Sequence, residues 1–412
     1  MTDPILEMRG IGKTFGPVRA LQDVTMTVMP GEIRAVCGEN GAGKSTLMNV
    51  LSGLYPYGSY EGEIHYQGKE TRFRSLRDSE AVGIVIIHQE LGLSPYLSIA
   101  ENIFLGNERS RMGVIDWRET NSRAKELLER VGLREKVETR VMDIGVGKQQ
   151  LVEIAKALAK RVKLLILDEP TAALNDEDSA NLLRLIQSLR DQGITAIIIS
   201  HKLNEILRIA DRTTVLRDGQ TIRTFDMHAE QVTEEDLIKA MVGRSMDHRF
   251  PERTPNIGEE VLRIEDWTVH HPIQQERKVV DGASLYVRRG EVVGLAGLMG
   301  AGRTELAMSL FGRTYGTNIS GRVIKDGKDV TPATVGDAIR AGIAYATEDR
   351  KRYGLNLLAD IKRNVAAASL EKVSKYGVVD GGAEARVASR FRDDLNIKAP
   401  SVDVTAGNLS GG

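Results

Sequence analysis

At 412 residues the chain has room for two domains, and its 41% hydrophobic and 27% charged content is that of an ordinary soluble globular protein. Its 56 basic and 57 acidic side chains leave a net charge of −1, which argues against bulk electrostatic capture of nucleic acid. A lone cysteine excludes an internal disulfide and a multi-cysteine zinc site. No stretch approaches the ~20 apolar residues of a membrane helix, and Met1-Thr2-Asp3-Pro4 lacks the apolar core of a signal peptide, so cytosolic residence is expected.

Residues 32–37 predict a short buried strand, in which Cys37 serves as a small packing residue. Directly after it, Gly38-Glu39-Asn40-Gly41-Ala42-Gly43-Lys44-Ser45 fits the phosphate-loop pattern G-x-x-x-x-G-K-[ST]. A helix should follow Lys44-Ser45-Thr46, because Leu47, Val50 and Leu51 then share a face. Glycine-curled backbone N–H groups and a helix N-terminus make a concave cradle for phosphate oxygens. Lys44 can reach the β- and γ-phosphates, and Ser45 can place its hydroxyl on Mg²⁺.

Further along, residues 82–87 read as a buried strand, after which the Gln89 amide could reach both metal and water. Residues 118–131 predict an amphipathic helix through Ala124, Leu127, Leu128 and Val131. The apolar runs 163–167 and 194–200 suit parallel strands covered on both faces, with Asp176–Asp191 as the crossover helix between them. The first run ends in Asp168-Glu169-Pro170. Asp168 is placed to hold Mg²⁺ through water, and Glu169 to polarise an attacking water as general base. Acids at a strand end are often only solvated caps; downstream of a phosphate loop the functional reading is the stronger one. His201 follows the second run, at the mouth where α/β sheets bind ligands, and can contact a γ-phosphate.

The first domain is expected to span 1–244, a linker 245–260 containing Pro251, Pro255 and Gly258, and a second domain 261–412. Gly297-Leu298-Met299-Gly300-Ala301-Gly302-Arg303-Thr304 repeats the phosphate loop at an offset of 259 (297 − 38), with arginine in the lysine position. Gly290-Glu291 and Gly342-Ile343 match Gly31-Glu32 and Gly83-Ile84 at the same offset, and Val261-Leu262-Arg263-Ile264 echoes Ile5-Leu6-Glu7-Met8, so the chain is a tandem duplication.

The phosphate loop, Gln89, the glycine-rich Asp143-Ile144-Gly145-Val146-Gly147-Lys148-Gln149-Gln150, Asp168-Glu169 and His201 come in the order of an ABC-type ATPase cassette. Over essentially its whole length the chain resembles the tandem-cassette ATP-binding subunits of bacterial monosaccharide importers of the ribose/xylose/arabinose/galactose type. Gly300-Ala301-Gly302-Arg303-Thr304-Glu305-Leu306 and Thr347-Glu348-Asp349-Arg350-Lys351 are close to that family's habits. The resemblance implies an α/β fold: two phosphate-loop cassettes, each with a mainly parallel sheet core, a helical subdomain and an antiparallel β subdomain. It implies ATP hydrolysis with Mg²⁺, with Phe15 stacking on adenine and residues 89–101 leading into the subdomain that grips a membrane permease. It implies as partners permease subunits, as a dimer, and through them a periplasmic sugar-binding protein. The chain would sit peripherally on the cytoplasmic face of the inner membrane, with no nucleic-acid partner. Ser410-Gly411-Gly412 would be the signature that one cassette presents to the ATP of the other.

The resemblance also implies unequal sites. One composite site would join Lys44, Asp168, Glu169 and His201 to Leu409-Ser410-Gly411-Gly412. The other would be degenerate: Gly297, Gly302, Arg303 and Thr304 form its loop, Glu348 replaces the glutamine matching Gln89, Gln274 stands at Phe15's offset, and Gly145 occupies the usual signature serine. Arginine is not a neutral exchange, since its planar fork is wider than an ammonium. Asn175 stands where many cassettes carry aspartate. Because the signature offset is 265 (410 − 145), a second counterpart of Asp168 belongs near 433, so the second cassette is expected to be C-terminally incomplete here. The alternative is a soluble twin-cassette ATPase acting on ribosomes or nucleic acid; it would be expected to carry two intact lysines and a long charged linker. The pair His270-His271 lacks the further ligands a metal site needs.

Overall fold

The computed structural model describes residues 3–16, 18–89, 91–108, 110–111, 113–243, 254–298, 300–347 and 349–409. The chain divides into two compact units, one holding the described residues up to Gly243 and the other those from Thr254 on. Of the expected linker, residues 245–253 lie outside the described part.

In the first unit β1 (Leu6–Phe15) and β2 (Val18–Val28) form a hairpin, followed by β3 (Ile33–Cys37) and α1 (Lys44–Leu51). The chain then adds β4 (Glu61–Tyr66) and β5 (Lys69–Glu70), giving an antiparallel sheet in the order β2-β1-β4-β5. Next come α2 (Leu76–Ala81), β6 (Ile84–Ile87), α3 (Ile99–Phe104), a small hairpin of β7 (Ser110–Arg111) and β8 (Val114–Ile115), α4 (Trp117–Arg130) and α5 (Val146–Leu158). The unit ends with β9 (Leu164–Asp168), α6 (Asp176–Asp191), β10 (Thr195–Ile199), α7 (Leu203–Ile209), β11 (Arg212–Arg217), β12 (Gln220–Asp226) and α8 (Glu234–Val242).

The central sheet runs β12-β11-β3-β10-β9-β6, parallel throughout except for β12. Every residue of β3, β9 and β10 is buried, as the continuous apolar runs require when both faces are covered. The two faces feed different cores. Leu165 and Leu167 of β9 join the cluster of α3, α4 and α5, while Leu164 and Ile166 join the cluster of α1 and the antiparallel sheet. Helix starts are set locally: Asn175 caps α6 by accepting the Asp178 N–H at 2.8 Å, and Ser98 and Glu101 form a capping box on α3. Asn175, whose departure from aspartate had no evident meaning in sequence, is thus a helix cap.

The second unit has β13 (Glu260–His270), β14 (Lys278–Arg288), α9 (Arg303–Leu310), β15 (Thr317–Lys325), β16 (Lys328–Asp329) and α10 (Val335–Arg340). It continues with α11 (Ile361–Ala366), the hairpin of β17 (Ser374–Lys375) and β18 (Val378–Val379), and α12 (Gly381–Asp394). Its antiparallel sheet, β14-β13-β15-β16, repeats the layout of the first unit's. That sheet is anchored by Trp267, fully buried, whose indole N–H donates to Ser309 Oγ at 2.9 Å. Residues 292–296, which match β3 at the offset of 259, form no strand here: Val292 is 79% and Leu295 49% exposed, where Ile33 and Val36 are sealed. In the first unit β3 is held by β10 and β11, and among the described residues no strand pairs with 292–296 in that way. An apolar run becomes a buried strand only when its backbone N–H and C=O groups find neighbours.

Candidate functional site

Because β3, β9 and β10 are parallel neighbours, their C-terminal ends open on one edge of the sheet, where the loops after them meet. The loop after β3 holds its shape through glycine. A Cβ on Gly38 would stand 2.2 Å from the Leu216 carbonyl oxygen. Gly43, at φ +96, caps α1 where a Cβ would lie 2.7 Å from Leu21 Cδ2. Ala42 is buried and its N–H donates to the Glu39 carbonyl at 3.1 Å, leaving Glu39, Asn40 and Gly41 exposed along the rim. Lys44 is buried, with Nζ donating to the carbonyls of Gly38 at 2.9 Å and Glu39 at 3.0 Å. Burial lowers its pKa, opposed by the charges of Glu169 and Asp168. Ser45 is exposed and Thr46 half-buried on the first turn of α1.

Asp168 ends β9 almost fully buried; burial raises its pKa, opposed by a hydrogen bond with Ser45. Glu169 sits at φ +49, and its side chain is 15% exposed. Its Oε2 receives the Gln89 amide Nε2 at 3.2 Å and lies 3.3 Å from His201 Nδ1. Three residues singled out from separate loops therefore meet on one carboxylate oxygen. Phe15, at the end of β1, is 40% exposed and packs edge-to-face on Tyr55 with centroids 5.2 Å apart. Lys13 Nζ lies 5.1 Å from both ring centroids. Neither Lys13 nor Tyr55 stood out in sequence; the one available signal was that Lys13 and Phe15 share a face of a strand.

A family model described as ABC transporter matches residues 21–172 and 280–412. The chain belongs to that family. It is 59% identical over 412 residues to the L-arabinose transport ATP-binding protein AraG of Geobacillus stearothermophilus, covering 100% of this chain and 80% of the relative. It is 48% identical over 412 residues to the xylose import ATP-binding protein XylG of Geobacillus kaustophilus, covering 100% of this chain and 81% of the relative. Among solved structures it is similar to an ATP-binding cassette of an ABC transporter at a TM-score of 0.52 and 25% identity, over 58% of this chain and 99% of that one. The two matched segments make this a tandem-cassette ATPase subunit.

The second cassette keeps the turn of the phosphate loop. Gly300 and Gly302 have φ +78 and +87, close to +83 and +96 at Gly41 and Gly43, and Ala301 donates to the Leu298 carbonyl at 3.1 Å as Ala42 does to Glu39. Gly297 lies against Ala301, and Thr304 is half-buried. The residue at the lysine position behaves differently: Arg303 is exposed where Lys44 is buried. Gln274 lies in the loop between β13 and β14, its N–H donating to His271 Nδ1 at 3.0 Å, so His271 organises that turn. Gly145 stands at the N-cap of α5 with open space around it. Glu348, Ser410, Gly411 and Gly412 lie outside the described residues.

Proposed function

We propose that this chain is the subunit that hydrolyses ATP to energise import of a monosaccharide, a pentose such as those named for its relatives, through a membrane permease. The observation that carries the chemistry is the convergence of Gln89 and His201 on Glu169 Oε2, beside the loop that buries Lys44. In this reading the loop's N–H groups and Lys44 hold the phosphates, and Phe15 stacks on adenine through its exposed face. Glu169 then accepts the proton of the attacking water, a role worth roughly 10²–10⁴ in rate. His201, half-exposed beside that carboxylate, turns a nitrogen toward the γ-phosphate. Gln89 fixes the carboxylate's orientation.

Mg²⁺ fits the donor set of the first cassette. The Ser45 hydroxyl, the Asp168 carboxylate to which it is bonded, and the Gln89 amide oxygen are the hard oxygen ligands that ion prefers. When bound it neutralises charge on the transferred phosphate. The second cassette, with exposed Arg303 and with Glu348 in its sequence, is the degenerate partner. The chain works at the cytoplasmic face of the membrane, and a periplasmic binding protein chooses the sugar; among the described residues no helix is long and apolar enough to cross a membrane. The ribosome- or nucleic-acid-acting alternative gains no support from these relatives.

The test is uptake of labelled L-arabinose and D-xylose in cells with and without the chain, the permease being present in both. Energised uptake that disappears with the chain supports the reading. Monosaccharide uptake untouched by its removal contradicts it.

A further inference from the structure

Glu169 occupies the left-handed region of backbone space, φ +49. A side-chain-bearing residue stays there only where its surroundings over-determine it. Part of the hold is main chain: Glu169 N–H donates to the Ile199 carbonyl at 2.9 Å, and its own carbonyl accepts from Ala172 at 3.1 Å. The rest comes from a buried polar group two residues on, which none of the chemistry above uses. Thr171, 1% exposed, donates its hydroxyl to Glu205 Oε2 at 2.6 Å. Lys202 Nζ donates to the Thr171 carbonyl at 2.9 Å and lies 3.4 Å from Glu205 Oε1. Glu205 is itself 8% exposed, in the first turn of α7. Lys202 directly follows His201, and its N–H is held by Ser200 Oγ at 3.0 Å.

These contacts run between two different loops. Thr171 belongs to the loop after β9, which carries Glu169; Lys202 and Glu205 belong to the loop and helix after β10, which carry His201. We infer that Thr171, Lys202 and Glu205 form the positioning device of this site, tying the two loops so that Glu169 and His201 keep their mutual geometry. The inference rests on the reading of Glu169 as the base. Its physical basis is that a charge-assisted bond between buried partners is short and directional, and that a buried charge stripped of a partner is costly, so the trio resists sliding of one loop past the other. Thr171 and Glu205 are buried, and Lys202 directs its ammonium to the Thr171 carbonyl and the Glu205 carboxylate. They act through the pair they hold.

The experiment compares Thr171→Val, Thr171→Ser, Lys202→Met and Glu169→Gln in the full chain assembled with its permease, reading kcat, ATP affinity and Tm for each. Thr171→Val keeps the shape and removes the hydroxyl; kcat should fall roughly ten- to a hundredfold, as a base displaced by part of an ångström would give, with ATP affinity within about twofold of the parent. Thr171→Ser restores the hydroxyl and should return kcat to within about threefold. Lys202→Met removes the tie from a half-exposed position and should lower kcat without lowering ATP affinity, which keeps the test sound should Thr171→Val fold poorly. Parent-like kcat in Lys202→Met together with Thr171→Val, or a Thr171→Ser chain as slow as Thr171→Val, would overturn the positioning role. If Glu169→Gln is slow while the trio variants are not, only the trio is refuted. If Glu169→Gln itself turns over at the parent rate, the base assignment fails and the trio has nothing to position.

Discussion

At the scale of single residues the first cassette brings its candidate catalytic groups together on one oxygen. Glu169 Oε2 meets an amide donor and an imidazole nitrogen, with Asp168 at the end of β9 and Lys44 at the start of α1 close enough to share their charges with it. Replacing that carboxylate with an amide keeps the volume and removes the basicity. Glu169→Gln should therefore retain ATP binding and lose at least about tenfold in turnover, measured as phosphate release; undiminished release would remove the base from the account. The exposed face of Phe15 is the proposed platform for adenine. Phe15→Ala should weaken ATP binding by roughly 1–3 kcal/mol, the usual worth of one base–aromatic stack, while leaving kcat at saturating ATP close to the parent. A titration showing parent-like affinity would return Phe15 to ordinary strand-edge packing against Tyr55.

Elements set where those residues can stand. β3, β9 and β10 are buried on both faces, and that burial reaches Cys37, whose thiol is pushed up to about 12. A thiol above its pKa loses its proton to become the nucleophile, so at pH 7–8 Cys37 stays protonated as well as shielded. A thiol-specific reagent should label it only after denaturation, and stoichiometric labelling of the folded chain would mean that β3 is not the sealed strand described. Much of this architecture was legible in the sequence. The apolar runs before Asp168 and His201 carried their parallel, doubly covered character, and α6 spans Asp176–Asp191 as its pattern foretold. The loops at the strand ends followed from motif spacing. Tertiary pairings were hidden. Nothing local in Thr171, Lys202 or Glu205 marks them as partners 31 and 34 residues apart. Residues 292–296 match β3 at the duplication offset and are mostly apolar, yet they form no strand, because strand formation depends on neighbours more than on intrinsic preference.

For the whole molecule, one plan is laid down twice. Both cassettes fold the antiparallel layer, the phosphate-loop turn and the helix behind it. The first surrounds that loop with Lys44, Asp168, Glu169, Gln89 and His201; the second carries at the lysine position an exposed Arg303, whose planar fork is wider than an ammonium. We propose a division of labour between a hydrolysing and a degenerate cassette, and a pair of substitutions tests it directly. Lys44→Ala and Arg303→Ala are made separately in the chain assembled with its permease, and steady-state ATP hydrolysis is measured for both against the parent. Lys44→Ala should remove most of the hydrolysis, at least about tenfold, while Arg303→Ala should retain most of it. Equal losses from the two changes would contradict it.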